Sequence, residues 1–397
     1  MFTMLKKIPR PNLIPSIVLA RGKDRQWGQM IGEAESERIL AAQRSLSELP
    51  VFLVHKPWWM PFSFYLKMAE RLAQKTLQSP MVRVFPRSLD RLRGMASGAG
   101  VRLETLCLFQ MLEAATNQHT DRMGMDAPPA GGCTAIALGA DRVQEGEPVL
   151  LHNLDQVEQA ATCLTVRKSR AEGELTSICL TLSPLCGVVD GINEAGLSIS
   201  YNYAAAVEVD PEGTPLSLAI SDVLGNCRTV PEAVRRFIKN TRSHGAILML
   251  GDATGCLARL ELSGHFYHLE WLKDPAGVLF HTNQYRSEKM QERQVTRNAV
   301  YRETCPPALR GVRIRESSEQ REQRIIAQLQ EVDQVKVDAA PALLQDHGRA
   351  NEGGPNTVCM HGNYWATIAS VELLPQSRVF RVGYGPACCT TYQDFTF

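Results

Sequence analysis

An α+β architecture is expected of this chain, for three reasons. Residues 24–120 place apolar side chains at helical period. After residue 133 the texture changes to short β-branched or apolar runs separated by turn residues. The remaining helical segments fall between hairpins rather than alternating with single strands, which means antiparallel sheets with segregated helices.

The elements follow in order. In "DRQWGQMIGEAESERILAAQRSL", Trp27, Met30, Ile31, Ala34, Ile39 and Leu40 lie near one helical face. "PRSLDRLRGMASGAG" ends on glycines suited to a helix C-cap, and "RLETLCLFQMLEAAT" begins another periodic stretch. Between them "HKPWWMPFSFYLKM" is dense in aromatics and proline. Its side chains, Trp58 and Trp59 among them, serve either as core under a helical layer or as the apolar wall of a ligand pocket. Three hairpins are expected, turning at Asn193–Gly196, Asp252–Gly255 and Pro375–Gln376. Helical patterns occupy 216–241, 287–302 and 318–346, the last opening on a capping signal in "SSEQREQRIIAQLQEV". The charged, proline-bearing stretch 303–317 reads as a surface connection, and no internal repeat or low-complexity tract is present.

Composition sets bounds on function. With 397 residues, 44% apolar and 21% charged, the chain has ample length for a buried core. A net charge of +1 gives no electrostatic case for nucleic acid or an anionic membrane as partner. No segment is long and apolar enough to span a bilayer, and Pro9, Pro11 and Pro15 interrupt the basic N-terminus before a leader could form. The eleven cysteines are scattered and mostly lie in strand-like surroundings, which suits reduced buried thiols and a cytoplasmic location. None has C-x-x-C spacing, and the nine histidines form no H-E-x-x-H pattern, so local spacing predicts no metal and no cofactor. Adjacent Cys388 and Cys389 fit no motif.

The chemistry concentrates at "DAPPAGGCTAIALG" (126–139). A nucleophile can use the α-amine of its own residue as base, because an amine near pKa 8 is matched to neutral pH. An internal cysteine gains such an amine only if the preceding peptide bond breaks, and Cys133 can achieve that by attacking the Gly132 carbonyl. Gly131 and Gly132 tolerate close approach and unusual backbone geometry at that bond. The competing reading is a turn followed by a buried thiol. Downstream, "PVLLHNLDQ" sets Asn153 and Asp155 on one face of a strand, and "SISYNYA" and "LFHTNQY" carry Asn202 and Asn283 at strand ends. An amide so placed suits oxyanion donation, and a carboxylate suits holding an ammonium.

These motifs, with "ARGKDRQWGQMIGE", "GINEAGLSISYNY", "GAILMLGD" and "NTVCMHGNYWATIASVELLP", give the chain its likeness. It resembles the isopenicillin N acyltransferase-like family of autoproteolytic acyltransferases and amidases, and more remotely the bile salt hydrolases and acid ceramidases. The resemblance implies a four-layer αββα N-terminal-nucleophile hydrolase sandwich of two antiparallel sheets. Residues 1–132 would be a mostly helical segment retained as a small subunit, and 133–397 the catalytic chain. It also implies Cys133 as nucleophile, Asp155 as the strand aspartate, Asn202 as the asparagine of the "YN" strand and Asn283 as the oxyanion asparagine. Two arginines of these relatives are absent: His152 and Met360 stand in their places. His152 and His361 are therefore candidate substitutes, with Asn153, Tyr201, Trp58 and Trp59 as further substrate-binding candidates. The implied partner is a small N-acyl or acyl-thioester substrate, acyl-coenzyme A included, and processed heterodimers could assemble further. Rival readings are an unprocessed scaffold of the same fold, or a conventional hydrolase pairing Cys359 or Cys133 with His361.

Overall fold

Helices carrying glycine at four-residue spacing open the fold. The computed structural model describes residues 17–118, 120–129, 131–348 and 352–397, so the N-terminal stretch judged for a leader lies outside it. Its helical segment comprises α1 (Asp24–Ala34), α2 (Ser36–Ser45), α3 (Pro50–His55), α4 (Phe62–Val84), α5 (Pro86–Ala99), α6 (Leu103–Gln110) and α7 (Leu112–Gln118). Pro86 starts α5 and Gly100, at φ +67°, ends it, as its sequence signals predict. Gly28 and Gly32 of α1 face Gly94 and Gly98 of α5, so the two backbones nearly touch. A Cβ on Gly28 would lie 2.0 Å from the Arg91 carbonyl oxygen, and one on Gly94 would lie 2.1 Å from that of Arg25. Alanine would gain about 1 kcal/mol of helix propensity, but forcing the helices apart costs about 1–3 kcal/mol. Gly94→Ala is therefore expected to lower the urea midpoint despite its better propensity.

The strands begin with β1 (Val18–Gly22), β2 (Thr120–Asp121), β3 (Gly124–Met125), β4 (Cys133–Leu138), β5 (Val149–Gln156) and β6 (Leu164–Ala171). Hairpin strands follow: β7 (Ser177–Leu182), β8 (Asp190–Asn193), β9 (Ser198–Ala204), β10 (Gly245–Gly251), β11 (Leu257–Leu262) and β12 (Tyr267–Trp271). The last are β13 (Val278–His281), β14 (Val300–Tyr301), β15 (Ala366–Leu374), β16 (Val379–Tyr384) and β17 (Tyr392–Phe395). One large sheet has the order β1-β6-β7-β8-β9-β10-β11-β12, and a second has β13-β4-β5-β15-β16-β17. All three expected hairpins are present, as β8–β9, β10–β11 and β15–β16. Their inner faces meet in one apolar core that includes Leu150, Leu154, Ile199, Leu248 and Val371.

Helices cover both outer faces, giving an αββα sandwich. α8 (Leu216–Asn226) and α9 (Val230–Ile238) lie on the large sheet. α11 (Glu316–Glu331) and a 3-10 segment at Val337–Leu344 lie on the other, through Ile325, Leu343 and Leu344 against Ile136 and Leu151. β1 runs parallel to β6, an exception to the antiparallel expectation, because it arrives from the helical segment and not through a hairpin. That segment is further tied down by a buried ion pair in which Arg167 donates to both Glu35 oxygens, at 2.7 and 2.6 Å.

Three helical expectations need correction. The pattern at 216–241 breaks after Asn226, and α9 (Val230–Ile238) begins anew with Pro231 in its first turn. At 287–302 only α10 (Glu288–Gln291) is helical, because the backbone that follows pairs with another segment: Val207 N–H donates to Arg293 O and Val295 N–H to Ala205 O. α11 starts at Glu316 with no side-chain cap, since the Ser317 hydroxyl donates to the Pro355 carbonyl instead.

Candidate active site

The Gly132–Cys133 peptide lies at the mouth of the β4–β5 ladder. Cys133 pairs with Leu154, and the ladder runs on past it, with Asp155 N–H donating to Gly132 O at 3.0 Å. On the other side of the bond, Cys133 N–H donates to Asn283 Oδ1 at 2.9 Å. Asn283 follows β13, and its Nδ2 donates to Tyr203 O at 2.8 Å, which fixes the carboxamide with its oxygen toward Cys133. Asn202 Nδ2 donates to Thr282 O at 3.0 Å and so anchors the residue before Asn283. The structure thus brings Cys133, Asp155, Asn283 and Asn202 to one place, all buried or nearly so.

A cation missed by sequence reasoning sits among them. Arg321 projects from α11 and is almost wholly buried. Its Nη1 donates to Cys133 O and, at 2.9 Å, to Thr134 Oγ1, while Nη2 donates to Asn283 Oδ1 at 2.9 Å. Nη1 also lies 3.8 Å from Asp155 Oδ2. An arginine thus occupies this neighbourhood from a different element than those bearing His152 and Met360. Only its place on the apolar-striped helix hinted at it, as a charge on an otherwise inward face.

His152 and Cys133 share one face of the β4–β5 ladder, because His152 pairs with Ala135, two residues along from Cys133. His152 Nδ1 lies 2.9 Å from Asp190 Oδ2, across the interface between the sheets. Burial opposes charging this imidazole, but the Asp190 carboxylate prevails and pushes its pKa up to about 10. Burial raises the Cys133 thiol, and the His152 charge draws it partly back. Nε2 of His152 forms no well-aligned hydrogen bond.

Burial also pushes the Asp155 carboxyl up to about 6, against the pull of Arg321 and of the Thr367 hydroxyl that donates to Oδ1 at 2.6 Å. A carboxyl raised above its ordinary 3.8 holds its proton more readily in the folded state. The stability it lends is therefore full below about pH 4 and lost as pH rises through 6. In a Cys133→Ala chain we expect unfolding free energy to fall by about 2–3 kcal/mol from this group between pH 4 and 7. Urea titrations should show that slope reduced in Cys133→Ala/Asp155→Asn.

The two glycines before Cys133 differ in what they allow. Neither is among the residues with positive φ, so the backbone there is not of the unusual kind expected. A Cβ on Gly131 would lie 1.8 Å from the Asp155 carbonyl oxygen, whereas on Gly132 the nearest atom, Arg321 Nη2, is 3.4 Å away. Close approach is the demand, and it falls on Gly131.

A cleft of about 270 Å³ opens on the Gly131–Gly132 side of the bond. Its apolar walls include Tyr203, Leu309, Ile314, Met360, Tyr364 and Trp365. The 303–317 stretch, expected to be a surface connection, therefore builds one wall, where Leu309 and Ile314 line the cleft together with Arg313, Arg315 and Glu316. Other candidates lie elsewhere. Trp58 and Trp59 are 92% and 65% exposed in the helical segment and line no part of the cleft. The Tyr201 hydroxyl donates to Glu113 and contacts His244, and Tyr201 does not line the cleft, whereas its neighbour Tyr203 does. Asn153 is spent on structure, donating to Leu344 O and Val358 O and accepting from Ser370. His361 and Cys359 flank Met360 but do not line the cleft.

Among the described residues no helix is long and apolar enough to cross a membrane. No curated protein matches the sequence. Solved structures with similar coordinates include a Caenorhabditis elegans ortholog of N-acylethanolamine-hydrolyzing acid amidase, at 16% identity and TM-score 0.40, covering 62% of this chain and 93% of that one. A mutant conjugated bile acid hydrolase from Clostridium perfringens matches at 14% identity and TM-score 0.36, over 67% of this chain and 97% of its own. Penicillin V acylase from Agrobacterium tumefaciens matches at 13% and 0.36, over 67% and 86%. The family model described as acyl-coenzyme A:6-aminopenicillanic acid acyl-transferase matches residues 142–377, more than half of the chain. The chain therefore belongs to the acyl-coenzyme A:6-aminopenicillanic acid acyl-transferase family.

Proposed function

We propose that this chain cuts itself between Gly132 and Cys133 and then acts as an N-terminal cysteine amidohydrolase or acyltransferase on small N-acyl compounds or acyl thioesters, acyl-coenzyme A included. One observation carries the reading: the Gly132–Cys133 peptide is gripped at both ends, its carbonyl by Asp155 N–H and its N–H by Asn283. A donor on the carbonyl favours charge developing on that oxygen as the thiol attacks.

The steps follow from this grip. Cys133 Sγ adds to the Gly132 carbonyl carbon, the C–N bond breaks, and the thiol proton passes to the departing nitrogen. No α-amine exists at that stage, so His152, held by Asp190, supports the thiolate and relays the proton. Water hydrolyses the resulting thioester, releasing a Gly132 carboxylate and a free Cys133. The new α-amine keeps Asn283 as acceptor and gains Asp155 as a nearby anion. It then serves as base for Cys133 against substrate. The second Asn283 amide hydrogen and the vacated Asp155 N–H receive the substrate oxyanion. Residues 1–132 stay attached through the β1–β6 ladder and the Glu35–Arg167 pair.

The cleft walls favour an apolar acyl group, and departure of the Gly132 end enlarges the space open to it. Mass spectrometry of mature protein mixed with N-acyl amides and acyl thioesters tests this. We expect an acyl adduct on the fragment that begins with Cys133, and release of amine or thiol faster than free acid. A panel of both classes that yields neither adduct nor product would overturn the catalytic assignment.

Gly131→Ala and Gly132→Ala separate the demands on the junction. Because a Cβ at 131 displaces Asp155, we expect Gly131→Ala to slow cleavage by about 10²–10³, the usual cost of one lost oxyanion donor. Gly132→Ala should stay within about tenfold of the parent chain. Time courses on denaturing gels measure both.

A further inference from the structure

Three loops that share no sequence motif converge at the edge of the second sheet. His347 follows the 3-10 segment, Cys359 and His361 flank Met360 ahead of β15, and Cys388 lies between β16 and β17. One donor atom from each of these four residues lies within 4.8 Å of all the others. His361 Nε2 is 3.1 Å from His347 Nε2, 3.4 Å from Cys359 Sγ and 3.5 Å from Cys388 Sγ.

Hydrogen bonding does not account for this crowding. An imidazole nitrogen offers either one proton or one lone pair, so it can serve one close partner well, and here it has three. The two imidazole rings meet edge to face at 86° instead of stacking, with their Nε2 atoms adjacent. A tetrahedral zinc ion, with bonds of about 2.0–2.1 Å to nitrogen and about 2.3 Å to sulfur, separates its ligand atoms by about 3.3–3.8 Å. The three spacings from His361 Nε2 fall around that range, and the whole set spans at most 4.8 Å. Two imidazoles and two thiols with no carboxylate form a soft set suited to zinc and unsuited to magnesium or calcium.

The surroundings are built for rigidity. Cys359 N–H donates to Asp346 O at 3.1 Å, and Arg324 pairs with the Asp346 carboxylate beside His347. His361 N–H donates to Gly354 O at 3.0 Å. Gly353 adopts φ +68°, and a Cβ there would lie 2.7 Å from His361 Cδ2, so glycine makes room for the ring. Cys388 lies at the surface and offers an entry path.

We propose that His347, Cys359, His361 and Cys388 form a structural zinc site that pins the Met360 loop against the catalytic cleft. Met360 stands between two of the ligands and lines the cleft, and its N–H donates at 2.8 Å to Thr367 Oγ1, the hydroxyl that donates to Asp155. Both thiols lose their protons to solvent when the ion binds, and no electron is transferred.

The test uses the full-length protein purified from zinc-supplemented culture under reducing conditions. Elemental analysis should find about one zinc per chain that survives dialysis. Metal-depleted wild type titrated with Co²⁺ should develop thiolate-to-cobalt charge-transfer absorption together with tetrahedral ligand-field bands. Cys388→Ser should weaken zinc affinity by about tenfold or more and reduce the charge-transfer intensity. Wild type that holds no stoichiometric zinc and gives no such cobalt spectrum overturns the proposal. Full zinc retention in folded Cys388→Ser and His347→Ala overturns it equally. A Cys359–Cys388 disulfide in reduced-purified protein does so too. The wild-type readouts decide the matter even if a variant fails to fold, and none depends on self-cleavage.

Discussion

Arg321→Met is expected to leave the chain uncut, with cleavage slowed by at least about 10². The guanidinium joins Cys133 O, Thr134 and Asn283 and lies beside Asp155, so its removal frees three acceptors and strands a buried carboxylate. Leaving one member of a buried pair alone costs about 3–5 kcal/mol, enough to compromise folding by itself. The double change Arg321→Met/Asp155→Asn separates the two effects. Neutralising both partners should restore much of the urea midpoint but none of the cleavage. Arg321→Lys should keep the charge and lose the fork, giving intermediate stability and slow cleavage, because an ammonium cannot span Cys133 O and Asn283 at once. Recovery of cleavage in the double variant would show that Arg321 acts only through stability.

His152→Gln is the second large effect, and its signature is an imbalance between two rates. Before the chain is cut, the thiol is supported by His152, held by Asp190, on its own face of the β4–β5 ladder. Afterwards the α-amine takes over. Loss of acid–base support typically costs about 10²–10⁴, so fragments should appear that much more slowly. Turnover per mature Cys133, counted by titration with a thiol reagent, should change far less. Equal losses in both rates would place His152 in the substrate reaction as well. An unchanged cleavage rate would remove it from the mechanism.

Much of the fold was legible because its signals are local. Turn residues at Asn193–Gly196 and Asp252–Gly255 specify their hairpins within a few positions, and Pro86 and Gly100 bracket α5. The helix expected across 287–302 failed because its backbone is claimed by residues 205–207, a partner no local window contains. That Cys133, Asp155, Asn202 and Asn283 meet in space was legible from the glycines before Cys133 and from the strand positions of the carboxylate and the two amides. Arg321 was not, since it reaches Cys133 across 188 positions from a helix whose stripe reads as apolar core. The cleft wall at 308–314 was hidden because its charged residues read as solvated, whereas Arg313 lines the cleft together with Leu309 and Ile314. Trp58 and Trp59 are exposed, because aromatic density in a sequence does not reveal which face a side chain takes. The four clustered His and Cys ligands come from three loops, so no linear spacing could announce them.

Intact-mass analysis of wild-type protein under denaturing conditions, with sequencing of the first residues of each species, bears most directly on the account. It predicts two pieces, one ending at Gly132 and one beginning at Cys133, with Cys133→Ala remaining a single species of 44.0 kDa. Folded wild type that persists at full length through prolonged incubation would contradict it.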